Sequence, residues 1–284
     1  MIDYHVHSER SGDANGSILE ACASAVNAGL THICFTEHVD FEPTDSSYGF
    51  FNYTLYRDQV DAAREAFADK LNISFGIEVD YQKRYSSQIS DFFDGKDFDY
   101  IIGSAHYIDG ILLEEHERYF PGKELKQAYE PYFNNVLAVV ETGWFDTLAH
   151  MDLCKRYGVR YFGPFDPEPH WEQITGILKA VIDKGMTLEV NTSGLRQSPK
   201  DTYPSEKIVE QYYVMGGRST IVGSDAHNPN DIGAGISTAL DMVRKVGFNS
   251  VDIYSKRQRS IITLDKLPKQ ITGRIYEQYT RINN

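Results

Sequence analysis

The feature that most limits what this chain can become is a repeated unit: a short apolar run, a polar cluster, then a stretch of helical period. The runs are Ile2–Val6, Ile33–Thr36, Ile73–Val79, Tyr100–Ala105, Phe145–Ala149, Thr187–Val190 and Thr220–Gly223. Between them, helical periodicity is read over Ile18–Ala28, Thr54–Lys70, Ser86–Phe93, Lys123–Glu141, His170–Lys184 and Ser205–Met215, with a last helix over Asp231–Val246. Strands that alternate with helices imply a parallel sheet. Seven such strands favour a closed or nearly closed β/α barrel over an open doubly wound sheet. No G-x-G-x-x-G or G-x-x-x-x-G-K-[ST] follows any strand, which removes the usual nucleotide-binding readings.

Local punctuation supports these boundaries. Ser17 precedes the first helix with Glu20 three residues on, the spacing of a capping box. Gly29 and Gly185 follow helices as stop signals. Tyr107–Gly122 and Met151–Pro169 lack clear periodicity and read as long binding loops. The tail past Phe248 reads as a strand or two and a closing helix. With no linker, repeat or low-complexity segment, residues 1–284 are expected to form one domain.

The charge balance, 28 basic against 41 acidic residues, argues against a nucleic-acid binder. Three cysteines without a C-x-x-C pair suit neither a disulfide framework nor a zinc finger. No apolar run approaches the ~20 residues that span a bilayer, and no signal-peptide pattern opens the chain, so a cytoplasmic protein is expected, with no membrane partner.

The chemistry lies where the strands end. His5 and His7 flank one residue and so project from the same face of an extended strand. The next five ends carry Glu37/His38, Glu78 with Asp80, His106, His150 and Asn191, and the seventh runs into Asp225/His227. Six of the nine histidines thus sit at strand C-termini, the face on which β/α barrels build their sites. One catalytic zinc uses about three protein ligands. Six imidazoles and several carboxylates therefore point to two or three divalent ions, with a carboxylate bridging. Mixed imidazole and carboxylate ligation suits Zn²⁺, Mn²⁺ or Fe²⁺.

The series His5-Val6-His7, Thr36-Glu37-His38, Glu78, Ser104-Ala105-His106, Leu148-Ala149-His150 and Ser224-Asp225-Ala226-His227 resembles the motif series of the PHP (polymerase and histidinol phosphatase) family. The resemblance runs from residue 2 to about residue 230, and within the family the chain is most similar to the monofunctional histidinol-phosphate phosphatases. It implies a distorted (β/α)7 barrel with three metal ions at the C-terminal ends of the strands. One ion would take His5, His7, Glu78 and Asp225; a second would share Glu78 and take His106 and His150. The third would take His38, His227 and Asp13, the last standing where the family often has histidine. Glu78, Asp225 and His227 are accordingly expected to serve catalysis as well as ligation.

The implied activity is hydrolysis of L-histidinol phosphate, a step of histidine biosynthesis, by in-line attack of a metal-bridging hydroxide. A phosphoester hydrolase also needs cations for the non-bridging oxygens. Arg160 and Arg196, in the segments after His150 and Asn191, are candidates, with Arg156 and Lys155 as weaker ones. Glu114, Glu115 and Glu117 can meet the cationic end of the substrate, with Glu115 taken as the representative. Other readings are a phosphoesterase acting on another small phosphoester, an amidohydrolase-like metal hydrolase, or a non-catalytic metal-binding module. No Lys ends a strand to form the carbamate bridge common in amidohydrolases, and no ligand of the series is missing.

Overall fold

The computed structural model describes residues 1–45 and 47–267. In chain order the regular elements begin with β1 (Ile2–Val6), α1 (Ile18–Asn27), β2 (His32–Val39), α2 (Tyr53–Ala66), β3 (Asn72–Asp80), α3 (Ser86–Phe93) and β4 (Tyr100–Ser104). A short hairpin, β5 (Tyr107–Ile108) and β6 (Ile111–Leu112), leads to α4 (His116–Tyr119), α5 (Leu125–Thr142) and β7 (Thr147–Leu148). Then come α6 (Lys155–Phe162), α7 (Trp171–Lys184), β8 (Thr187–Asn191), α8 (Ser193–Arg196), α9 (Glu206–Val214), β9 (Thr220–Gly223) and α10 (Ile236–Val246). A second hairpin, β10 (Ser250–Ser255) and β11 (Gln258–Thr263), completes the described elements.

Seven strands form one all-parallel sheet in the order β1-β2-β3-β4-β7-β8-β9. The two edge strands nearly close it into a barrel. Asp225 N–H donates to the His5 carbonyl at 2.7 Å, His7 N–H donates to the Ala226 carbonyl at 2.9 Å, and Val6 bridges Ala226 in parallel. Asp3 adds a side-chain staple, accepting from the backbone N–H of Ser224 at 2.8 Å and of Gly233 at 2.9 Å.

The strands are buried on both faces, as a barrel wrapped by helices requires. The helices supply the outer layer through one apolar stripe each. In α7, Ile174, Ile177, Leu178 and Val181 are buried at i, i+3, i+4 and i+7, worth roughly 1.5–3 kcal/mol per side chain removed from water. This helix ends where the sequence predicts, at Gly185 in the left-handed conformation (φ 66°). The Ser17–Glu20 capping box forms as read, with Glu20 N–H donating to Ser17 Oγ and Ser17 N–H to Glu20 Oε2.

Two segments read as loops hold regular structure. Tyr107–Gly122 contains β5, β6 and α4, and Met151–Pro169 contains α6. The signal of α6 is masked by Gly158, a residue of low helix propensity. Glycine is needed there for space: a Cβ would lie 1.9 Å from Tyr129 Oη. The expected strands of the tail are β10 and β11, which pair with each other and lie under the N-terminal ends of the barrel strands. There Tyr254 stacks on Tyr100 (5.0 Å between ring centroids), and Thr187 Oγ1 donates to Asp252 Oδ2 at 2.7 Å. The closing helix expected after them falls outside the described residues.

Candidate metal centre

The C-terminal ends of the strands converge as the sequence pattern requires. Glu78, on β3, is the hub. Its Oε2 lies 3.0 Å from His5 Nε2, 3.4 Å from His7 Nε2 and 3.4 Å from His38 Nδ1. Its Oε1 lies 2.8 Å from His150 Nε2 and 3.4 Å from His106 Nε2. One carboxylate thus offers a separate oxygen to each of two histidine groups, the geometry of a bridge. Asp225 Oδ1 stands 3.6 Å from His5 Nε2 and 3.5 Å from His7 Nε2. Toward solvent, Asp13 Oδ2 lies 3.6 Å from His38 Nε2 and 3.2 Å from His227 Nε2. All nine residues expected as ligands therefore meet in one cluster.

Three overlapping triads have donor atoms close enough to share an ion: His5/His7/Asp225, His5/Glu78/His150 and His7/His38/His227. His7 also stacks against both His38 and His227, with centroid separations of 4.2 and 4.3 Å. The backbone is strained where Asp225 is presented, since this non-glycine residue has φ 53°. Arg196 bonds the carbonyl of Ser224 at 2.8 Å and so steadies that turn.

The site asks for positive charge from outside. His5 Nε2 and His7 Nε2 face each other at 3.1 Å, and both turn toward carboxylates. Ring nitrogens of His38 and His150 are buried with no hydrogen-bond partner. Imidazole and carboxylate donors in this arrangement fit divalent transition-metal ions.

In the metal-free chain, protons stand in for that charge. Burial alone would lower His7 and His106, but neighbouring carboxylates outweigh it: Asp225 and Glu78 raise His7 to about 9, and Glu78 with Asp80 and Asp40 raises His106 to about 10. His38, dominated by burial and next to His7, falls to about 3. Burial would raise Glu78 and Asp225, yet the surrounding histidines hold both well below the usual carboxylate range.

The cavity above the cluster is lined by Asp13, His38, Glu78, His106, His150, Asp225 and His227. Asp40, Asp45 and Glu114 also line it, together with Leu112, Leu113, Leu153, Arg156 and Tyr157. The expected substrate contacts divide on this geometry. Glu114 lines the cavity, whereas Glu115 pairs with Arg118 at the exposed surface and Glu117 is exposed. Arg160 is likewise turned away, on the outer face of α6, where it donates to His116 Nε2 at 2.8 Å. Arg156, one helical turn earlier, faces the cavity instead. Lys155 is fully buried between Asp152 and Asp201, 2.9 Å from each. Arg196 keeps one buried terminal nitrogen, Nη1, without a partner beside the Asp225 turn.

Several working groups were not singled out from sequence. Asp40 lies two residues beyond His38, so strand alternation was a usable signal for its facing the same way. Its carboxyl is raised well above the ordinary range by burial and by Asp80. Glu189, a lone acid in Thr187-Leu-Glu-Val-Asn191, accepts from His5 Nδ1 at 2.6 Å and from His150 N–H at 2.8 Å. Glu37, counted with His38 as a strand-end donor, is in none of the three triads whose donor atoms could share an ion; it lies beneath the loop between β1 and α1.

Fold and site together define a β/α-barrel protein whose strand ends gather histidines and carboxylates in groups that could hold metal ions. A PHP domain model matches residues 3–193, and the chain belongs to that family. It is 28% identical over 255 residues to a histidinol-phosphatase of Lactococcus lactis, covering 89% of this chain and 94% of the relative. Similarity to a probable histidinol-phosphatase of Deinococcus radiodurans is also 28%, over 91% of this chain and 98% of that protein. The crystal structure of histidinol phosphate phosphatase from L. lactis, complexed with zinc, L-histidinol and phosphate, superposes with a TM-score of 0.83 at 26% identity. That match covers 91% of this chain and 98% of the other.

Proposed function

We propose that this chain is a metal-dependent phosphomonoesterase that hydrolyses L-histidinol phosphate to L-histidinol and phosphate, a reaction of histidine biosynthesis. The observation that carries the reading is the make-up of the cavity, whose lining combines the Glu78-centred histidine cluster with the acids Asp40, Asp45 and Glu114. Such a cavity suits a molecule with a phosphate at one end and an ammonium at the other. The relative complexed with zinc, L-histidinol and phosphate supports the same assignment.

Two to three divalent ions, zinc, manganese or iron, fit the donor set. His5, His7, Glu78 and Asp225 would hold one, Glu78, His106 and His150 the second, and Asp13, His38 and His227 the third. Ions bound there supply Lewis-acid charge for the phosphoryl oxygens and lower the pKa of water. The chain's own groups orient the substrate. Arg156, which lines the cavity, is the cation available to the phosphate end, whereas Arg196 does not line it and holds the Asp225 turn from behind. Asp40 and Glu114 are the acids available to the amine end, and a cation beside Asp40 would offset the desolvation that raises its carboxyl and so favour the charged form. Among the described residues no helix is long and apolar enough to cross a membrane.

Phosphate release by protein reconstituted with Mn²⁺, Zn²⁺ or Fe²⁺ tests the proposal, using histidinol phosphate, a nucleotide, phosphotyrosine and a phosphodiester. Histidinol phosphate is expected to give the highest kcat/KM. A higher value for any other ester would overturn the substrate assignment.

A further inference from the structure

Successive residues of β2 serve different layers of the site. His38 faces the ligand cluster, while Glu37 is fully buried behind it and accepts hydrogen bonds from one short turn. Ser8 N–H reaches its two oxygens at 3.2 and 3.1 Å, Ser8 Oγ donates to Oε1 at 2.6 Å, and Ser11 Oγ lies 2.6 Å from Oε2. Ser11 Oγ has two further neighbours: the His38 backbone N–H at 3.0 Å and His7 Nδ1 at 3.1 Å.

Counting protons resolves the arrangement. A hydroxyl has one proton and two lone pairs, and a carboxylate only accepts. The Ser11 proton therefore goes to Glu37, and one lone pair takes the His38 N–H. The remaining lone pair requires a proton on His7 Nδ1. In the singly protonated ring that ligation requires, Nε2 is then bare, and it is the nitrogen that lies 3.1 Å from His5 Nε2, 3.4 Å from Glu78 and 3.5 Å from Asp225. The opposite tautomer would set two lone pairs against each other at Ser11 and put a proton where a ligand is needed. For His5 the same end is reached directly, through Glu189 at 2.6 Å from its Nδ1.

We infer that Glu37, acting through Ser11, is a positioning residue that fixes His7 in the tautomer able to ligate a cation. The same carboxylate pins the turn between His7 and Asp13, so one buried acid orders two prospective ligands. This inference rests on the reading of the cluster as a metal centre. Partners of this kind behind a ligating imidazole typically change metal affinity 10–100-fold.

Ser11→Ala removes only the hydroxyl. Glu37→Gln keeps the shape but sets an amide N–H2 against Ser11 or Ser8, which disturbs the proton count. Three measurements on the full chain separate the roles: Zn²⁺ affinity by competition with a chromophoric chelator, ¹⁵N NMR of the histidine rings in the zinc-loaded protein, and the melting midpoint of the metal-free protein. Both variants are expected to bind zinc about 10–100-fold more weakly, and Ser11→Ala to lose the slowly exchanging Nδ1–H signal of His7. Ser11→Thr, which keeps a hydroxyl, is expected to restore most of the affinity. Unchanged affinity with an unchanged His7 signal would overturn the inference. So would a lower metal-free melting point with unchanged zinc affinity, which would assign Glu37 to loop packing alone. Wild-type protein that binds none of Zn²⁺, Mn²⁺ and Fe²⁺ would refute the metal-centre reading and this inference with it; normal wild-type binding with unaffected variants would refute the inference only.

Discussion

The two ends of the barrel handle buried charge in opposite ways. At the N-terminal end, acids find their partners within the chain. Asp99 accepts from Arg64 at 2.6 Å, Phe75 N–H at 3.0 Å and Lys256 N–H at 2.8 Å. Asp146 accepts from Arg257 at 2.6 Å and Ile101 N–H at 2.9 Å. At the C-terminal end, imidazole faces imidazole and carboxylates crowd them, with ring nitrogens of His38 and His150 left over. Imidazoles and carboxylates gathered this closely around one acid suit a bound cation. One end is closed for stability and the other is open for chemistry.

The sharpest way to break this contrast is at Glu78. Glu78→Ala should lower kcat by about 10³-fold or more, the several kcal/mol that metal-held charge supplies. Elemental analysis should show metal lost in parallel. Full metal content with normal turnover would remove Glu78 from the bridge. A smaller effect is expected where the substrate's amine is received. Asp40→Asn should reduce kcat/KM for histidinol phosphate by about 10–100-fold, the worth of one charged hydrogen bond, while leaving p-nitrophenyl phosphate nearly unaffected. Glu115→Ala should change neither substrate, because that side chain pairs with Arg118 outside the cavity.

At the other end the readout is stability. Asp146→Ala should cost about 1–3 kcal/mol in denaturant unfolding, since it strands the Ile101 N–H and the Arg257 guanidinium. Metal content should not move, and if it does the two ends are not independent.

The gentlest test is titration of the metal-free chain. His7 and His106 titrate near 9 and 10 in the folded state and near 6.5 unfolded, so between these values the native chain holds more protons. Their contribution to stability is complete below about pH 6.5 and fades as pH rises through 9 to 10. His38, lowered to about 3, acts in the opposite sense: its contribution is present above 6.5 and fades as pH falls toward 3. Loading with metal should abolish the alkaline decline, because a cation replaces the protons. An alkaline decline of equal size in the loaded protein would count against that replacement.

What the sequence disclosed follows from periodicity. Strand alternation brings His5 and His7 to one face, and a parallel barrel gathers strand ends whatever lies between them. Glu78, His106, His150 and Asp225 were legible for that reason. Side chains beyond the strand ends were not, because their direction depends on elements with weak local signals. Arg160 points outward because α6 continues through Gly158, a residue that reads as a break until Tyr129 is seen to occupy the space. Glu115 follows a two-residue strand too short to announce itself. Glu37 and Glu189 were visible as acids in apolar runs, but only the packed structure shows that each lies behind a histidine.

The seam between β1 and β9 also sets the order in which this protein can mature. A chain emerging from the ribosome releases β1 first, and its free edge has no strand to pair with until the segment around Ser224–His227 has emerged. For most of synthesis His5 and His7 are therefore present without Asp225 or His227. The proposed spheres that use Asp225 or His227 cannot be complete before more than two hundred residues have been made, so an ion held there would be captured by the finished barrel. The exposed β1 edge is meanwhile the place where a stalled or truncated chain is most open to mispairing.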